Sequence, residues 1–112
     1  MVRRSFTAVL EKNSTFTEAF QTEPYETAWA SEARWFVRVL EMSGTGASMR
    51  AAAQISPDGL FWCDEGTAAL EMTGVGLSSQ ALREFGHWLR LRVELSGEAP
   101  KVKVTIYLAL KE

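Results

Sequence analysis

The sequence predicts an all-β fold: an antiparallel β-sandwich of jelly-roll type, with about seven or eight short strands, as a single domain over residues 1–112. Three observations predict it. A two-residue apolar alternation runs through much of the C-terminal third. Turn-forming clusters recur at intervals of roughly a dozen residues. The composition is that of an ordinary globular chain, with 46% apolar and 23% charged residues, which excludes disorder, collagen and coiled coil. The formal net charge of -2 supplies no field for a polyanion, so nucleic acid is not an expected partner.

The elements follow in chain order. Phe6-Thr7-Ala8-Val9-Leu10 and residues 15–20 read as short strands around a turn at Lys12-Asn13-Ser14. Residues 31–42 read as a strand, with Trp35, Val37 and Val39 on one face and Phe36, Arg38, Leu40 and Met42 on the other. A helical stripe of Trp29, Ala33, Phe36, Val37 and Leu40 is the competing reading and would give an α+β fold. β-Branched and aromatic density, ended by Ser43-Gly44-Thr45-Gly46, favours the strand. Apolar residues on both of its faces require cover on both. Met49, Ala51, Ala53 and Ile55 alternate into Ser56-Pro57-Asp58-Gly59, where proline, aspartate and glycine suit successive turn positions. Leu60-Phe61-Trp62-Cys63 is the expected return strand. The pattern Leu40-Glu41-Met42-Ser43-Gly44-Thr45-Gly46 is echoed by Leu70-Glu71-Met72-Thr73-Gly74-Val75-Gly76, as two strand ends entering similar loops rather than a duplicated unit. Residues 78–85 suit a helical turn or a short edge strand. Finally, residues 89–95 and 102–110 read as adjacent antiparallel strands joined by a turn over residues 96–101. Their inward set is Leu89, Leu91, Val93, Val104, Ile106 and Leu108.

Chemistry is sparse. The one histidine, His87, sits in no nucleophile motif, and the lone Cys63 reads as an inert, buried thiol. One His and one Cys cannot build a structural zinc site. Gly44-Thr45-Gly46 and Gly74-Val75-Gly76 lack the third glycine of a dinucleotide fingerprint, and no phosphate loop occurs. Asp58, Asp64 and Glu65 read as turn and solvated-loop carboxylates. No catalytic residue, cofactor or metal is therefore expected, and the chain is read as not an enzyme. No apolar run is long enough for a signal peptide or a membrane span. The expected location is the cytoplasm, or a particle assembled there, with no membrane partner.

One surface needs explaining. The alternation puts Trp88, Arg90, Arg92, Lys103 and Tyr107 on the face opposite the core, and aromatics with arginine are what interfaces concentrate. The plainer reading covers Trp88 with a loop and pairs the arginines with Glu41, Glu71 or Glu94. The segments Ser56-Pro57-Asp58-Gly59-Leu60-Phe61-Trp62 and Phe85-Gly86-His87-Trp88-Leu89-Arg90-Leu91-Arg92, with a final Val-x-Val-x-Ile-Tyr-Leu strand, resemble small jelly-roll-like sandwich modules. Such modules occur in bacteriophage virion and tail proteins and in discoidin-like carbohydrate-binding domains. The likeness spans residues from about Arg34 to Leu110, and no residue pattern carries over a ligand loop or a calcium site. It implies a structural, virion-like protein that assembles with itself or with other particle proteins. Apolar residues on both faces of residues 34–42, with Trp88 and Tyr107 opposite the core, predict a homo-oligomer, a dimer or trimer. The alternative is a carbohydrate-binding module, with a saccharide stacked on Trp88 or Tyr107.

Overall fold

The computed structural model describes residues 4–112 and contains eight strands, with no helix among the described residues. They are β1 (Ser5–Phe16), β2 (Phe20–Gln21), β3 (Tyr25–Glu26), β4 (Glu32–Ser56), β5 (Cys63–Asp64), β6 (Leu70–Met72), β7 (Gly76–Arg83) and β8 (Trp88–Lys111). All pairings are antiparallel and form one sheet. Its spine is β4 and β8, which pair from Glu32–Lys111 to Ser56–Trp88. On the outer side of β8 lie β1, β2 and β3 in succession, and on the outer side of β4 lie β7, β6 and β5.

That spine must bend. A straight strand of 25 residues would reach about 80 Å at roughly 3.3 Å per residue, yet the longest dimension of the molecule is 50 Å. The bend lies where register shifts cluster, between Val39 and Ser48 of β4. Extra residues there break the ladder and turn the chain. Gly44 (φ 114°) and Gly97 (φ 109°) make the corner tight from opposite strands. A Cβ on Gly44 would stand 2.8 Å from the Glu98 carbonyl oxygen, and one on Gly97 would stand 2.8 Å from that of Gly46. Each strand occupies the space that the other's missing side chain leaves.

The bend divides the sheet into two halves. The first half-sheet joins β1, the C-terminal part of β8, the N-terminal part of β4, and β7. The second joins β2 and β3, the N-terminal part of β8, the C-terminal part of β4, and β5 and β6. Trp35, Val37, Val104, Ile106 and Leu108 from the first, and Ala51, Leu89, Leu91 and Val93 from the second, are fully buried in one core. With no helix to cover them, only the opposing half-sheet can do so. The predicted β-sandwich is thus a single sheet folded over on itself, and all six inward residues expected of the final strands lie in its core.

Of residues 31–42, all but Ser31 fall in β4, so the strand reading holds over the helical one. Residues 78–85 likewise resolve largely into the edge strand β7. Three expectations need correction. Residues 96–101 do not reverse the chain: residues 89–95 and 102–110 belong to one strand, and each part pairs with β4 rather than with the other. Turn chemistry there serves a corner, in which Ala99 takes a positive φ of 47°. Lys12-Asn13-Ser14 is a bulge inside β1, where Asn13 (φ 50°) accommodates the register shift. Cys63 is exposed at the start of β5, a two-residue strand at the end of the sheet whose one neighbour is β4.

Candidate functional site

The two outer faces differ in chemistry. Tyr107 pairs with Phe36 on the outer face of the first half-sheet, beside Val9, and Lys103 lies opposite Glu41 nearer the bend. Trp88, Arg90 and Arg92 lie on the outer face of the second, opposite Ser56, Gln54 and Ala52. The five residues expected on one face therefore share the convex side of the sheet but stand on opposite halves of the sandwich. The reason is the corner at residues 96–101, which continues the strand where a hairpin would have brought its parts side by side.

On the second half-sheet the polar groups satisfy one another. Arg90 Nε donates to Gln54 Oε1 at 2.7 Å, Gln54 Nε2 donates to Asp64 Oδ1 at 3.1 Å, and the Arg90 guanidinium lies 4.4 Å from the Trp62 ring centroid. Partial burial, and then the neighbouring Arg92 charge, pull the Arg90 pKa below its ordinary value, but an arginine so placed still carries its charge in water. Arg92 meets Glu94 at 3.5 Å.

The loop between β4 and β5 is fixed from its root. Ser56 Oγ accepts the amides of Asp58 at 3.2 Å and Gly59 at 2.8 Å. Asp58 Oδ1 accepts those of Leu60 at 2.9 Å and Phe61 at 3.1 Å. The Leu60 and Phe61 N–H groups, in that order, hold the Asp58 carboxyl below its usual pKa by favouring the charged form. Gly59 (φ 80°) seats its backbone on the Trp88 ring, where a Cβ would be 3.3 Å from two ring carbons. Trp88 is thereby covered by a loop, as the plainer reading had it. At the tip, Leu60 and Phe61 remain 76% and 77% exposed. Sequence reasoning missed them because it placed them in a return strand; the two apolar residues following a Pro-Asp-Gly turn were the available signal.

The outer face of the first half-sheet has an open hollow of about 430 Å³ near the strand ends, floored by Phe36, Ala81 and Ala109 and ringed by Arg34, Arg83 and Lys111. Glu32 also lines it and meets Arg83 at 3.4 Å. Arg34 donates to Ser79 Oγ at 2.8 Å. His87 is exposed in the connection before β8, and its carbonyl accepts the Thr27 amide at 2.6 Å. Among the described residues no group of three or more His, Cys, Asp or Glu side chains is placed to hold a metal ion.

No protein-family model and no curated protein matches the sequence. Solved structures do share the fold. The PBSX exported protein XepA superposes on 94% of this chain with a TM-score of 0.68 at 14% identity. VP2 of the infectious bursal disease virus subviral particle superposes on 97% with a TM-score of 0.68 at 12% identity. The CBM22-1-GH10 modules of Clostridium thermocellum xylanase 10B, complexed with xylohexaose, match 80% with a TM-score of 0.54 at 9% identity. The chain spans about a third of XepA and of VP2, at 36% and 32% of their lengths. The expected likeness to phage and virion sandwich modules is therefore present at the level of fold.

Proposed function

We propose that this chain is a non-catalytic structural module that works by assembly, self-associating or decorating a larger particle of bacteriophage type. The observation that carries the reading is the superposition of nearly the whole chain on a protein of a subviral particle. Exposed apolar side chains on ordered strands and turns support it: Val9 at 51%, Leu77 at 62% and Phe61 at 77% exposure are groups that an assembly would cover. Light scattering coupled to size-exclusion chromatography tests the self-association arm. The expected result is a dimer or trimer, and a mass of 12.5 kDa at every concentration removes that arm.

The second reading, a saccharide-binding module, draws on the fold shared with the xylanase modules. Sugar stacking needs a free aromatic face. Gly59 occupies one face of Trp88, and Arg90 occupies one face of Trp62. Titration with xylohexaose, followed by tryptophan fluorescence, decides it: unchanged emission ends this reading, and a saturable change establishes it.

A further inference from the structure

The loop tip is apolar within an acidic stretch of sequence, and the hollow has an apolar floor within a ring of cations. Between Arg50 and Arg83 the sequence contains no lysine or arginine, but it holds Asp58, Asp64, Glu65 and Glu71. Leu60 and Phe61 thus project from an acidic stretch of the second half-sheet. The hollow on the first half-sheet offers an apolar floor inside a ring of three cations, with Glu32 as its single acidic lining residue. The tip and the hollow belong to opposite halves of the fold, and Phe61 remains 77% exposed in its own chain. The complementary site is therefore reached in another molecule.

We propose that the Leu60–Phe61 tip of one copy docks in the Phe36 hollow of a second copy. The inference rests on the self-association arm of the proposed function and names the surfaces that perform it. Two physical arguments select a second copy as the occupant. The apolar tip is held by four hydrogen bonds to Ser56 and Asp58, so docking it orders little that is not already ordered. Asp58, Asp64 and Glu65 outnumber Arg90 near the tip and would face Arg34 and Lys111 at the hollow, where Arg83 is already paired with Glu32. Two first half-sheet faces brought together would instead set Arg34, Arg38 and Lys103 against their own kind. Tip and hollow are different patches, so copies close either as a reciprocal pair or as a ring.

The test uses two variants altered at exposed positions. Leu60→Asp with Phe61→Asp removes the tip and leaves the hollow, while Ala81→Glu blocks the hollow and leaves the tip. Circular dichroism confirms that each keeps the strand signature of the parent. Light scattering from micromolar to millimolar concentration should show the parent as a multimer that dissociates as salt is raised. Each variant alone should stay at 12.5 kDa. Their equimolar mixture should regain a pair of twice that mass, because one intact tip then meets one intact hollow. A parent that assembles while either variant assembles equally well overturns this contact and leaves self-association standing. A mixture of folded variants that stays monomeric also overturns it. A parent that stays monomeric throughout overturns both. If a variant fails to fold, Arg34→Glu replaces Ala81→Glu and Phe61→Ser replaces the double change, with the same outcomes.

Discussion

Asp58 concentrates several functions in one side chain. Its Oδ1 atom takes two backbone amides and a hydroxyl, so the loop tip has few conformations left. Because its pKa in the folded state is lowered, the tethering is fully present above the ordinary carboxylate range. It is lost as pH falls through the lowered folded value. Hydrogen exchange should therefore show faster opening of the Leu60 and Phe61 amides in Asp58→Ala at neutral pH, after correction for intrinsic rates. Asp58→Asn, which keeps an acceptor oxygen, should open less; equal protection in Asp58→Ala and the parent would remove the tether. Arg90→Ala should cost about 1 kcal/mol, as expected of a partly buried cation–π contact. It should also shift Trp62 emission to longer wavelength, and denaturant titration with fluorescence measures both. Asp58 was legible from Ser56-Pro57-Asp58-Gly59 because turn chemistry is local. The Arg90 contact was not, since it depends on how β5 returns beside β4.

At the scale of elements, the corner carries the fold. Gly44→Ala would push a methyl group against the Glu98 carbonyl at a backbone angle hostile to side chains, so destabilisation above 1 kcal/mol or so is expected. Gly74→Ala meets nothing within 4 Å and has no positive φ, so its effect should stay within about 0.5 kcal/mol. Ala99→Gly relieves a left-handed alanine and should stabilise by about 1 kcal/mol. Thermal unfolding of the three variants checks this order, and equal losses for Gly44→Ala and Gly74→Ala would contradict it. The sequence could not separate a corner from a hairpin at residues 96–101. Inward positions switch from odd at Leu89, Leu91 and Val93 to even at Val102, Val104 and Ile106, and one unpaired residue produces that switch in either arrangement. What decides is the glycine pair Gly44 and Gly46, which lies on the partner strand opposite Gly97, some fifty residues earlier by register.

For the whole molecule, one core serves both halves, so damage in either half should be felt throughout. Ile106→Ala and Leu91→Ala, one from each half-sheet, should each cost about 2–5 kcal/mol. Both should keep a single cooperative transition in urea, and two separate transitions would show that the halves fold independently. The core residues were legible because a period of two requires only local alternation. The contrast between the outer faces was not, because net charge averages it away. Arg34, Arg38 and Lys103 gather on one half-sheet, and the acidic stretch after Arg50 falls on the other, only through the topology, and periodicity does not specify which strands become neighbours.

The pairing of β4 with β8 also governs when the protein can fold. As the chain leaves the ribosome, β1 and β4 emerge early, but β8 is the neighbour that joins them and it emerges last. β5, β6 and β7 can pair with β4 earlier, but the core partners of Trp35, Val37 and Val39 on β8, from Leu89 to Leu108, are missing until then, and closing such distant pairs is slow. Nascent chains stalled before Trp88 should therefore be cut readily by protease, and chains released beyond Lys111 should resist. During the interval the apolar faces of β4 are open to wrong partners, which makes the last strand the step at which a chaperone would have most to protect.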